Sequence, residues 1–530
     1  MTSDVTIIGA GPAGLLLAAE LQLAGVSTTV LDQNARPDTT PRANGLVGRI
    51  VQALHLRGLH QPLSGQPDAP QPTPRFQFGG LPLELNTLPD NPLYTLPVPQ
   101  HRIEQVLHDH ASALGADIRR EHQLTALSQT PDQVTLHVRT PDGERQFTTR
   151  WLIGADGAHS TVRREAGIAF PGHTDRRFVS HIGHAHLPAD RLNSDGTLTL
   201  PAGGHARPFT HHRLPGGVFT FARLPGAATD TYLVATMEWT GPHHSTDAPP
   251  THDDLQHATD RVLGGHLPLQ QPHTPTPPTR RLTGVNLRQA DAYRSGRILL
   301  LGDAAHVYPA VGGPGLNLGL NDAINLGWKL AAQVHGTAAP NLLDTYQTER
   351  APVARRVALQ TRAQLALLAP GDDITALRDL FTDLLDSDHT RHGVAALLAG
   401  ADRPYDMGGT DPHPLTGAWL PDLLPRLTEG ADAVRDALRS ARGVLIDLTI
   451  DGVSLPSAWR HRLDVIPAHG EIDADAVLVR PDGYLAWAGT GTDDVTEALR
   501  RWFGTESAAA HDGSPGDGAP GDPWTAQVTS

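Results

Sequence analysis

The chain has no cysteine. That absence excludes disulfides, thiolate zinc sites, iron–sulfur ligation and a cysteine nucleophile together. Lysine is nearly missing too, occurring only at Lys329, so arginine carries almost all the basic charge. Net charge is −15 at pH 7, which makes nucleic acid and anionic membranes poor partners. No apolar run approaches the ~20 residues a membrane span needs, and the first residues lack the basic stretch of an export signal. A cytoplasmic location is therefore expected. With 530 residues the chain can bury a large core in two or three domains without covalent staples.

What is present is a set of three glycine–acid stretches scattered over about 300 residues. In the first, Val5-Thr6-Ile7-Ile8 reads as a buried parallel strand, Gly9, Gly11 and Gly14 follow in GxGxxG spacing, and a helix runs on from Leu15. Gly25 is placed to stop that helix, and Thr28 to Leu31 forms a second strand ending at Asp32. The first glycine permits a tight turn, the second lets backbone approach a pyrophosphate, and the third lets helix pack on strand. The helix N-terminus then holds the negative charge. Asp32 can accept hydrogen bonds from a ribose hydroxyl and disfavours a 2′-phosphate, so the site suits FAD or NAD better than NADP. The second stretch is Gly154-Ala155-Asp156-Gly157, ending a strand and followed by Arg163-Arg164. The third is Leu301-Gly302-Asp303-Ala304-Ala305-His306, after the strand Ile298 to Leu301, with Pro309 to Asn317 approaching the N-terminus of a long helix. Backbone N–H groups of Leu316 and Asn317 at that end could stabilise the negative edge of a reduced flavin. Together the three stretches predict one dinucleotide site, with FAD favoured.

The rest of the chain gives the organisation. Helices are expected at about Ile50 to Arg57, Val98 to Leu114, Leu316 to Val334 and Leu342 to Leu368, and the proline-rich segment from Gln61 to Asn91 suits an irregular excursion or hairpin. From about Phe178 to Arg281 the pattern mostly alternates, as in an inserted β-rich domain. Four short strands and a closing helix between Val444 and Trp502 form a small terminal α/β module. The expected divisions are a discontinuous nucleotide domain (1–75, 98–177 and 282–370), a β-sheet substrate domain (76–97 and 178–281), a helical connection (371–400) and the terminal module (401–506). A disordered tail (507–530), rich in Gly, Pro, Ser and Asp, completes the chain.

These stretches, with Arg42-Ala43, Gln100-His101-Arg102, Asp322 to Leu330 and Leu343 to Arg350, resemble the class A flavin-dependent aromatic hydroxylases of the para-hydroxybenzoate hydroxylase type. The likeness covers roughly residues 4 to 360. Leu478 to Tyr484 with Trp487 is similar to the degenerate thioredoxin-like domain of bacterial polyketide-tailoring oxygenases. The resemblance implies an α/β fold: a Rossmann-like FAD-binding domain, an inserted β-rich substrate domain and a thioredoxin-like domain that cannot do thiol chemistry. It implies cofactor contacts from Gly9, Gly11, Pro12, Ala13, Gly14, Asp32, Gln33, Arg42, Gln100, Leu124, Asp156, Gly157, Asp303, Pro309, Gly313, Gly315, Leu316 and Asn317. Among these, Asp303 takes the ribityl and pyrophosphate position and Pro309 to Asn317 the isoalloxazine positions. One departure stands out: Pro314 replaces the usual glutamine and removes an N–H donor, though proline suits a first helical turn.

The activity so implied is an FAD-dependent, NAD(P)H-consuming monooxygenase. It would insert one oxygen from O2 into a polycyclic aromatic polyketide-type substrate through a C4a-(hydro)peroxyflavin, with ring hydroxylation expected. The alternatives are Baeyer–Villiger oxidation and hydroxylation of an antibiotic such as a rifamycin. The expected partners are the small-molecule aromatic, O2 and NADPH or NADH, in a monomer or homodimer. Arg42 is the one candidate catalytic residue. The substrate pocket is expected between flavin and β domain, with Phe76, Phe78, Phe209, Arg213, Phe219, Phe221, Arg223 and Met237 as candidates, and Arg49 steering anionic groups. The histidines of His181 to His186 and the pairs His211-His212 and His243-His244 lack an accompanying carboxylate cluster, so no metal site is expected.

Overall fold

Five parallel strands form the centre of the molecule. Their order is Ile298–Leu300, Gly143–Gly154, Thr2–Ile8, Thr28–Leu31 and Asp117–Arg119. The computed structural model describes residues 2–37, 43–223, 230–239, 248–273, 276–309, 311–409, 412–449, 452, 459–490 and 493–505. Arg42, His243, His244 and the tail 507–530 therefore lie outside the described residues. Val5, Ile7, Val30, Leu152 and Leu299 are fully buried, which is why these strands read as continuous apolar runs. Register sets Ile8 beside both Gly154 and Leu31, and Gly154 beside Leu300. The carboxyl ends of four neighbouring strands thus lie in a row, and each runs directly into a glycine or acidic turn.

The helix Pro12–Leu23 packs on the long helix Pro314–Val334. Their approach depends on a small residue, since a Cβ at Gly327 would stand 2.6 Å from Glu20 Cβ. A Cβ at Gly319 would stand 3.1 Å from Gly302 Cα, so the same helix also lies close against the third turn. The long helix begins two residues before its expected start, with Pro314 at its first position.

A second, antiparallel sheet runs in the order His212–Leu214, Gly217–Ala222, Thr231–Glu238, Gly172–His186, Arg280–Gln289 and His306–Val307. Its strands cross the expected divisions at 177/178 and 281/282. One face is covered by a helix, His252–Leu263, where the alternating pattern of the sequence predicts strands. The signal for it is Thr251-x-x-Asp254, a capping box in which each side chain bonds the other residue's backbone N–H. The proline-rich excursion does contain a hairpin, Arg75–Phe78 with Leu81–Glu84.

Helices Thr345–Leu368, Asp372–Leu385 and Asp388–Ala399 lead to the terminal module. Its sheet runs Leu463–Pro467, Gly443–Asp447, Ala476–Val479 and Leu485–Gly489, with the first pair parallel and the rest antiparallel. Helices Ala431–Arg439 and Asp493–Phe503 accompany it. Among the described residues, no helix is long and apolar enough to cross a membrane.

Candidate cofactor and substrate site

The row of strand ends opens onto one cavity of about 1660 Å³. All three glycine–acid stretches reach it. Gly9, Gly11, Pro12 and Ala13 line it from the first turn, Asp156 and Gly157 from the second, and Asp303, Gly313, Gly315 and Leu316 from the third. Asp32, Gln33, Gln100 and Leu124 complete that set of expected residues on the wall.

The three glycines of the first turn sit in three different surroundings. Gly9 has φ +108°, and a Cβ there would meet Ala155 O at 2.3 Å. A Cβ on Gly14 would meet Gly9 O at 2.2 Å. Gly11 has nothing within 4 Å and borders the cavity. The outer two glycines therefore make the turn, and the middle one leaves its space to a ligand. No side chain caps the helix Pro12–Leu23, so its positive N-terminus faces the cavity undisguised, as a pyrophosphate requires. The helix Pro314–Val334 is likewise uncapped by any side chain, and its N-terminal residues Gly315 and Leu316 line the other side. These features fit FAD.

Asp32 accepts from the Ala10 N–H and the Asn34 N–H, each at 2.8 Å, and Arg120 lies 3.7 Å away. It braces the glycine turn as well as facing the cavity. Asp156 accepts from Ser160 Oγ and from the Thr161 and Val162 N–H groups at 2.7 and 3.0 Å, and so caps the short helix Thr161–Glu165. Burial, opposed by those bonds, pushes its carboxyl pKa up. Asn317 is buried: its Oδ1 accepts from the Val47 N–H at 3.0 Å while its Nδ2 donates to Gly313 O at 2.7 Å. Asn317, Gly14 and Pro309 do not line the cavity; Asn317 fixes a strand to the glycine loop and Gly14 closes the first turn from behind.

On the substrate side, the structure brings Phe76, Phe209 and Arg223 to the cavity and not the others. Phe219 and Phe221 point to the sheet face covered by His252–Leu263 and belong to that core. Phe78 is buried against Phe381, ring centroids 5.8 Å apart. Met237 packs beside Phe178 and Val311. Arg213 donates to Ala369 O, Gly371 O and Thr375 Oγ1. Arg49 lies over Trp419 and Tyr484, with Asp422 at 3.8 Å.

The cavity residues that sequence reasoning missed include Arg120, His122, Gln77 and His211. Arg120 and His122 follow the three-residue strand Asp117–Arg119, whose position beside Thr28–Leu31 is the available signal. Gln77 and His211 meet only through folding: Gln77 donates to Phe209 O and accepts from the His211 N–H, both at 2.9 Å. Burial pushes the His211 imidazole down to about 4. Among the described residues, no group of three His, Asp or Glu side chains could hold a metal.

Comparison with known proteins agrees with this geometry. Residues 2–361 match the FAD binding domain family, and residues 413–506 match the aromatic-ring hydroxylase C-terminal family. The chain is 39% identical to a 12-dehydrotetracycline 5-monooxygenase/anhydrotetracycline 6-monooxygenase of Streptomyces rimosus, over 95% of this chain and 99% of that one. It is 36% identical to a rifampicin monooxygenase of Streptomyces venezuelae, again over 95% and 99%. Its fold superposes with a TM-score of 0.81 on an aromatic hydroxylase from angucycline biosynthesis, at 34% identity over 95% of this chain and 99% of that one. A flavin-dependent monooxygenase, an oxidoreductase, is the class so defined. The chain belongs to the FAD-binding aromatic-ring hydroxylase family.

Proposed function

We propose that the chain uses FAD and NAD(P)H to hydroxylate a polycyclic aromatic substrate of polyketide type. The observation that carries this reading is a single cavity of about 1660 Å³ reached both by the three glycine–acid turns and by Phe76, Phe209 and His211. That exceeds the ~300–1,000 Å³ of a site for one ligand, so a flavin and a multi-ring substrate fit side by side. The tetracycline and angucycline relatives support the substrate class.

Bound FAD, reduced by NAD(P)H, supplies activation of O2 and delivery of one oxygen atom. This chain's residues do the rest. Gly9, Gly11 and the helix N-terminus at Pro12 hold the pyrophosphate, while Asp32 takes the adenosine ribose and Asp303 the ribityl chain. Gly315 and Leu316 N–H groups, with the dipole of a 21-residue helix, hold negative charge at the ring edge. Pro314 adds no donor there. Arg42 and Gln100 contribute to the same cofactor. Phe76 and Phe209 offer flat apolar faces, and His211, neutral near pH 7, offers a hydrogen bond to a substrate oxygen. Together they exclude water from the reacting ring. The inserted antiparallel sheet serves as the substrate domain, its strands running past the expected divisions at 177/178 and 281/282, and residues 401–506 form a thioredoxin-like module.

The rifampicin monooxygenase relative favours a second reading, hydroxylation of a rifamycin-type antibiotic. The test is a visible spectrum of the purified protein, then NAD(P)H consumption with candidate polycyclic phenols and a rifamycin, with mass analysis of products. A yellow protein and a product one oxygen heavier with its rings intact support hydroxylation. Ring expansion indicates Baeyer–Villiger chemistry, and a colourless protein that takes up no FAD defeats the proposal.

A further inference from the structure

No described residue beyond Gly319 lines the cavity, so the described part of the terminal module does not reach it. Yet the module buries an arginine completely. Arg480 donates to Glu349 at 2.7 and 2.9 Å and also bonds Asp482. Lys329 donates to Glu349 at 2.8 Å, and the Asn325 amide bridges Glu349 and Asp482 at 2.6 and 3.2 Å. Two cations and two carboxylates balance, and the Trp502 ring centroid lies 4.5 Å from the guanidinium. Such a cluster costs a great deal to desolvate and tolerates one arrangement of its members, so it fixes register more than it adds stability.

The next residue on the same helix, Thr345–Leu368, makes a separate set of bonds. Arg350 donates to Asp322 Oδ1 at 2.7 Å, to Leu318 O at 3.2 Å and to Tyr405 Oη at 2.8 Å. The second oxygen of Asp322 accepts from the Gly302 N–H at 3.2 Å and lies 2.7 Å from His306 Nε2. One carboxylate therefore holds both ends of the turn that presents Asp303 to the cavity. Three hydrogen bonds lead from Tyr405, through Arg350 and Asp322, to Gly302.

We propose that the terminal module is a positioning element for FAD: Arg480 and Tyr405 set Glu349 and Arg350, and Arg350 sets Asp322 beneath the Gly302–Asp303 turn. This rests on reading the cavity as the FAD site. Tyr405 is the informative position, because phenylalanine keeps the ring against Tyr484, 4.3 Å centroid to centroid, and removes only the oxygen that Arg350 bonds.

The experiment is an FAD titration of apo-protein, followed by flavin fluorescence, with thermal unfolding of each apo-protein alongside. It compares native protein, Tyr405→Phe and Val477→Ala, the last a fully buried residue in the module's own sheet. Loss of one hydrogen bond to a charged group should raise the FAD Kd about tenfold in Tyr405→Phe. Val477→Ala should lower the Tm and leave Kd within about twofold. A Tyr405→Phe Kd within twofold of native, or an equal rise in Val477→Ala, overturns the proposal. Native apo-protein that takes up no FAD overturns instead the reading on which it stands.

Discussion

The Arg163 guanidinium donates to the carbonyl of Ala304 at 2.7 Å, joining the second glycine–acid turn to the third. It also donates to Ala158 O at 3.0 Å and lies 3.8 Å from the Phe170 ring centroid. One buried cation thus spaces two turns that reach the same cavity from different strands. Arg163→Met keeps the length and loses both bonds. It should cost about 2–4 kcal/mol of stability and raise the FAD Kd at least about tenfold, read by thermal unfolding and flavin titration. An unchanged Kd beside a lowered Tm would show that the spacing of the turns is immaterial to the cofactor.

The glycines of the first turn separate folding from binding. Gly11 has φ −79° and ψ 175°, which alanine adopts readily, and open space where a Cβ would go. Gly11→Ala should leave the apo Tm within about 1 °C of native while raising the FAD Kd at least about tenfold. Gly14→Ala should instead destabilise the apo-protein by about 3 kcal/mol or more, because Gly9 O stands 2.2 Å from the new carbon. If Gly11→Ala binds FAD normally, the pyrophosphate lies elsewhere.

The nucleotide half of the site was legible because strand, glycine turn, helix and acid are contiguous in sequence: Val5 to Asp32 specifies its own geometry. The opposite wall was not. Alternation along Val218-Phe219-Thr220-Phe221 separates two faces, but nothing local tells which face meets the cavity. The helix His252–Leu263 settles it by covering Phe219 and Phe221. Arg120 was hidden because its strand is only three residues long. Gln77 and His211 are 134 positions apart and carry no local pattern linking them.

His211 makes stability pH-dependent with a defined sign. Its folded pKa, about 4, lies below the ordinary 6.5, so the unfolded chain binds the proton first as pH falls. Its contribution is complete above pH 6.5 and is lost as pH drops towards 4. At pH 5 the loss is about 2 kcal/mol. His211→Gln removes this titration, so native protein should lose about that much more stability than the variant between pH 7 and 5. Urea unfolding at several pH values checks it, since the other carboxylates and histidines cancel in the difference. Parallel curves would mean the imidazole is well hydrated.

Phe209 has φ +60° and is 53% exposed at the cavity. An aromatic residue in the left-handed region costs about 1–2 kcal/mol, and Gln77 holds it there by bonding the backbone on both sides of Thr210. A strained, half-exposed aromatic contributes little to folding, so its position points to ligand contact. Phe209→Gly should retain stability or gain up to about 1 kcal/mol, since glycine relieves the strain but loses more chain entropy. In the same variant the aromatic substrate should show a raised KM, and more of the NAD(P)H consumed should appear as hydrogen peroxide in place of product. Gln77→Ala should reproduce the loss of coupling, because it releases the same backbone without touching the ring. Stability, KM and peroxide yield measured on both variants test this, and coupling at the native level in Phe209→Gly would remove Phe209 from the substrate wall.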